Sequence, residues 1–169
     1  MWRLLSALPI GVVLADLVYG FVLNVLQGLD LQRAVPDSEG VLAVTPDIAF
    51  NSLQIVANGG MSAVVGFGLV VLFLLNRSVL RRQVLEIGIF RTLGLVAVLA
   101  FSVPSVWEWA NALLSLMRGV DVVNTGNVRY VLTALCMPWL AVLCVVRLFG
   151  WYRLQTVSVR AAKAGNVEK

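Results

Sequence analysis

The chain has 169 residues, 60% of them hydrophobic, with 13 Lys and Arg against 9 Asp and Glu, two cysteines and no histidine. Soluble domains run about 45–50% apolar even counting glycine, so this excess, with a mean hydropathy of +0.90, excludes a water-soluble protein, a disordered chain and a disulfide scaffold. The absence of histidine also excludes His-ligated haem, the common catalytic zinc sites and His-based triads.

What remains is an all-α polytopic membrane protein. A spanning helix needs roughly 20 mostly apolar residues, and four stretches qualify: residues 4–27, 49–75, 92–117 and 130–150. The first is broken by Asp16 and Asn24. It is too long for a signal-peptide core and lacks an Ala-x-Ala-like site after it, so it reads as a retained helix. The second has a polar outer half and an apolar heart at 64–75. The third carries Pro104 and Glu108, and the fourth carries Pro138, both prolines being expected kinks. No connection is long enough to fold alone, so residues 1–169 form a single domain, a compact bundle of four transmembrane helices.

Orientation follows from the cations. With the N-terminus in the cytoplasm, the inner side holds Arg3, Arg77, Arg81, Arg82, Arg91, Arg147, Arg153, Arg160, Lys163 and Lys169, and the outer side holds Arg33, Arg118 and Arg129. Ten against three in short connections is a positive-inside pattern that puts both termini in the cytoplasm. Eleven arginines against two lysines suit a GC-rich bacterial source, making the expected location the bacterial cell inner membrane.

The longest outer connection, residues 28–48, is turn-rich and net acidic, with Asp30, Asp37, Glu39 and Asp47 against Arg33. It is the expected docking surface for a protein partner outside the membrane. Residues 118–129 read as a turn. On the inner side, Arg77, Arg81, Arg82 and Arg91, with Arg153, Arg160 and Lys163 from the basic tail, are the expected contacts with inner-leaflet lipid. The segment 76–91 reads as extensions of spans two and three, and residues 151–169 as a tail that lies on the leaflet and frays. This basicity implies the bilayer and no nucleic acid, because no aromatic-interleaved basic surface accompanies it.

Ionisable groups within spans call for a functional hypothesis. Asp16 falls twelve residues into span one, about 18 Å along the axis, near the midplane. Glu108 falls in the outer third of span three. Asp16 and Asn24 share one face of span one, Gln54 and Asn58 one face of span two, and Glu108 and Asn111 one stripe of span three. Lipid cannot hydrogen-bond these groups. The three stripes are therefore expected to turn inward around a polar pocket open to the outer side. No cation lies in the middle of a span to partner Asp16, and Arg129 is placed to reach Glu108.

Gly59 with Ala63 and Ser62 with Gly66 form small-xxx-small pairs, with Gly60 and Gly68 as further thin spots. They imply close helix packing within the bundle or self-association into a homo-oligomer. Trp107, Trp109, Trp151 and Tyr152 read as interfacial aromatics, and Trp139 as packed against a neighbouring helix. Cys136 and Cys144, about 12 Å apart by rise, are too far apart for a disulfide and read as small apolar residues. No phosphate loop, metal-ligand cluster, nucleophile elbow or family motif is present, so no enzyme and no cofactor are expected. The leading expectation is a non-catalytic protein that binds another protein in or outside the membrane, as an immunity-type protein or an accessory subunit. The alternative is a small transport or channel component that uses Asp16 and Glu108 for protons or cations.

Overall fold

A computed structural model of the chain describes residues 2–33, 46–119 and 128–167. Among these, every regular element is an α-helix: α1 (Trp2–Arg33), α2 (Pro46–Leu80), α3 (Ile89–Met117) and α4 (Val128–Val167). All four are long and apolar enough to cross a membrane. Each runs beyond the apolar stretch that marks it, because hydrogen bonding within a helix satisfies the backbone whether a turn lies in lipid or in water. The largest difference is α4, which continues through the basic segment after Gly150 as far as Val167. That segment was expected to fray. It carries the helix formers Arg153, Leu154, Gln155, Arg160, Ala161, Ala162, Lys163 and Ala164, and it holds no proline.

The approaches between helix backbones give the order around the bundle. Each of α1 and α3 packs against both α2 and α4, α2 also touches α4, and α1 and α3 do not meet. Asn76 of α2 meets Ser6 of α1, while Gly66 faces Leu14 and Gly59 faces Phe21. The rising and falling numbers show these two helices to be antiparallel.

The buried core is one cluster drawn from all four helices: Ile10 and Val13 of α1; Val65, Leu69, Val71, Leu72 and Leu75 of α2; Leu95 and Val98 of α3; Met137, Leu140, Leu143 and Cys144 of α4. All of it lies at the arginine-rich end or the middle of the bundle. Toward the other end no described side chain is buried over residues 14–29 of α1, 52–64 of α2 or 103–117 of α3. Leu, Val and Ile fill most of the closed half at the spacing of one helix face, whereas the opposite half carries Asn24, Gln54, Asn58, Glu108 and Asn111, which an apolar seam would leave unsatisfied.

The closest approach joins α2 to α3. A Cβ on Gly68 would lie 2.1 Å from the Gly94 carbonyl oxygen and 2.6 Å from a methyl carbon of Val98. Only glycine at 68 lets the two backbones touch. Among the other small residues of α2, Gly59 abuts the Phe21 ring and Gly66 makes ordinary contact with Leu14, while Gly60 faces open space.

The connection from α2 to α3 is a short tight turn. Arg82 adopts φ 54°, in the left-handed region. Its N–H donates to the Val79 carbonyl at 3.2 Å, and the Gln83 N–H donates to the Ser78 carbonyl at 3.0 Å. This is a Schellman cap with arginine where glycine is usual. The Ser78 hydroxyl donates to the Gln83 carbonyl, and Trp151 of α4 donates its indole N–H to the Leu85 carbonyl at 2.7 Å. The expected helical extension thus stops at Leu80, and residues 83–88 run without regular structure to α3.

Candidate functional site

The two carboxylates singled out within the spans are both held by the first turn of α4. Arg129 forms an ion pair with Asp16 of α1 through Nε, and its Nη2 lies 3.4 Å from the Asp16 backbone carbonyl. Its guanidinium carbon also stands 4.4 Å from the centroid of the Tyr19 ring, a cation–π contact one turn further along α1. The next residue, Tyr130, donates its hydroxyl to Glu108 Oε2 of α3 at 2.9 Å. Two consecutive residues of α4 therefore each tie down one carboxylate from helices that do not touch each other.

This corrects two expectations. Asp16 does have a cationic partner, and Arg129, expected at Glu108, reaches Asp16. The sequence places Arg129 at the start of span four and Asp16 well inside span one, so they pair only because α4 begins beside the middle of α1. A shallow depression of about 420 Å³ surrounds the pair, with Val12, Tyr19, Leu132 and Thr133 in its lining. The ion pair is only part-covered, with side-chain exposures of 45% for Arg129 and 25% for Asp16.

Of the residues in the polar stripes, Asn24 is half-buried, whereas Gln54, Asn58, Glu108 and Asn111 are exposed. Counted outward from the contact of Gly68 with Gly94, the antiparallel register brings Gln54 level with Glu108. None of the amides of Gln54, Asn58 and Asn111 has a hydrogen-bond partner among the described residues, although all three lie within spans. Trp109, read as an interfacial aromatic, also ties α3 to α4, its indole N–H donating to the Ala134 carbonyl at 2.5 Å. Trp139, expected to pack against a neighbour, is 53% exposed, because Met137, Leu140 and Cys144 take the core-facing positions of α4.

Of the acidic docking residues, Asp30 falls in the last turn of α1 and Asp47 in the first turn of α2; Asp37 and Glu39 lie outside the described residues. The expected lipid contacts Arg77, Arg81, Arg82, Arg91, Arg153, Arg160 and Lys163 are all exposed at one end of the bundle. There Arg91 donates to the Glu86 carbonyl at 2.5 Å. Cys144 is buried in the core and Cys136 half-buried, both as free thiols.

A buried polar pair escaped the sequence reading. Asn76, 3% exposed, donates through Nδ2 to Ser6 Oγ at 3.1 Å, and Ser6 is 7% exposed. By position Asn76 reads as the start of a connection, but the longer α2 takes it into the bundle. An asparagine one residue before an arginine cluster was the available signal. Gly94 was missed as well; its mark is a lone glycine amid apolar residues of α3. No protein-family model, curated protein or solved structure shows a significant match to the chain.

Proposed function

We propose that this is a non-catalytic, four-span protein of the bacterial inner membrane, with both termini in the cytoplasm, that acts by binding another protein within the bilayer. Immunity-type and accessory-subunit roles both belong to this class. The observation that carries the reading is the exposed set Gln54, Asn58 and Asn111, unpartnered within spans, beside Glu108. In hydrocarbon, polar groups left without hydrogen bonds are costly, and a partner helix bearing polar residues would supply what lipid cannot. Among the described residues, the half of the bundle that carries them has no buried side chain in α1, α2 or α3, which leaves room for an added helix. Pairing of Asp16 with Arg129 occupies the carboxylate that the transport alternative would use.

The test is affinity purification of the tagged chain from gently solubilised native membranes, with partners identified by mass spectrometry. A single stoichiometric partner, lost in the Gln54→Leu/Asn58→Leu/Asn111→Leu variant, is the expected result. Recovery of the wild-type chain with no such partner, or retention of the partner by the variant, sinks this assignment. Flux into liposomes abolished by Asp16→Asn would replace it with transport.

A further inference from the structure

At the arginine-rich end of the bundle, α1 and α2 enclose a half-open pocket of about 220 Å³ lined by Ala7, Phe73, Asn76, Arg77, Leu80 and Arg81. Its depth follows from the spans. Leu80 is the last residue of the apolar stretch of α2, and Ala7 lies in the first turn of that of α1. The pocket therefore sits where hydrocarbon gives way to headgroups.

Its chemistry is one-sided. Arg77 and Arg81 stand one helical turn apart and both are exposed. Neither guanidinium has an ion pair or hydrogen bond among the described residues. At this end the described side chains include one carboxylate, Glu86, against Arg77, Arg81, Arg82, Arg91, Arg147, Arg153, Arg160 and Lys163. Between the two arginines and α1 lies Asn76, whose Nδ2 serves Ser6 while its Oδ1 is buried with no partner. A buried acceptor of this kind is unfavourable until a donor reaches it. The contact of Val79 with Gly150 sets α2 and α4 in register there. It brings Arg147 to the depth of Asn76, with its Nε buried and likewise unpartnered.

We propose that this pocket binds the headgroup of an anionic phospholipid that carries a hydroxyl, as phosphatidylglycerol does. Arg77 and Arg81 hold the phosphodiester, for which the guanidinium fork is suited. Asn76 Oδ1 accepts from the headgroup hydroxyl. Ala7, Phe73 and Leu80 pack along the glycerol and the first part of an acyl chain, a lining that a free phosphate ion would not use. Basic recesses between spanning helices at the membrane boundary are general sites for anionic headgroups. The inference is independent of the partner-binding reading, whose residues lie at the other end of the bundle.

The test is native mass spectrometry of the full chain in detergent, titrated with palmitoyl-oleoyl phosphatidylglycerol or the corresponding phosphatidylcholine, with inorganic phosphate as competitor. Phosphatidylglycerol is expected to bind in preference. The Arg77→Gln/Arg81→Gln variant is expected to lose roughly thirtyfold in affinity. Arg33→Gln/Arg118→Gln, which removes the same charge from the opposite side of the bundle, is expected to bind as the wild type does. Phosphatidylglycerol should also raise the melting temperature of the wild type and not that of Arg77→Gln/Arg81→Gln. Equal binding of the two lipids, or equal loss in both double variants, overturns the site. Displacement of the lipid by inorganic phosphate overturns the lipid as its ligand.

Discussion

The backbones of Gly68 and Gly94 are in direct contact, and a methyl group on Gly68 would meet the Gly94 carbonyl oxygen at 2.1 Å. The contact fixes how near α2 and α3 stand and the register between them, and through that register the level of Gln54 against Glu108. Between spanning helices, van der Waals packing replaces the hydrophobic drive that water supplies elsewhere, so a separation at this point costs attraction along the whole seam.

Gly68→Ala is therefore expected to destabilise the bundle by about 1–3 kcal/mol, as overpacking does. Gly94→Ala should cost less, since its nearest neighbour would be the Gly68 Cα at 3.0 Å, and Gly66→Ala, with only a leucine methyl at 3.8 Å, should be near neutral. Thermal unfolding of the three variants in one detergent checks the ranking. Equal effects at 66 and 68 would show that the backbone contact does not hold the helices together.

Asp16 and Arg129 form the one ion pair among the described residues. A charge that loses its partner in an apolar setting is worse placed than two neutral groups. Arg129→Gln alone should thus destabilise more than the double variant Asp16→Asn/Arg129→Gln. A double-mutant cycle, followed by unfolding in lipid nanodiscs, should return a coupling of about 1–2 kcal/mol. A coupling of zero would mean that solvent or lipid headgroups screen the pair completely.

The bond between Asn76 and Ser6 is buried and joins α1 to α2. Ser6→Ala leaves both ends of the Asn76 amide unpaired, at a cost of about 1 kcal/mol or more. Adding Asn76→Leu removes the orphaned group and should restore part of that loss. Chemical unfolding in phospholipid-free detergent compares the two variants. A double variant less stable than Ser6→Ala would contradict the account.

Arg82 occupies a left-handed conformation that costs an ordinary residue about 1–2 kcal/mol. Glycine lacks that penalty but gives more freedom to the unfolded chain, so Arg82→Gly should stabilise by about 0.5–1 kcal/mol. Arg82→Val should destabilise, since branching at Cβ fits this region worst. Melting temperatures of the two variants should move in opposite directions; movement in the same direction would exclude strain at Arg82 as the cause.

The sequence by itself determined that the chain is helical and that four stretches are apolar enough to cross a membrane, because length and hydropathy are properties of a segment and need no knowledge of its neighbours. The polar residues worth attention, Asp16, Glu108, Gln54, Asn58 and Asn111, were visible for the same reason: an ionisable or amide group in an apolar run is costly wherever the helix stands. Which of them meet a partner is a matter of rotation, tilt and relative height between helices, and apolar periodicity barely specifies these when lipid and protein neighbours are equally apolar. Only the tertiary structure gave Asp16 to Arg129, Glu108 to Tyr130 and Asn76 to Ser6, and left the amides of Gln54, Asn58 and Asn111 exposed. It also selected Gly68 and Gly94 from among several small residues, since close approach depends on two helices presenting a bare backbone at the same height.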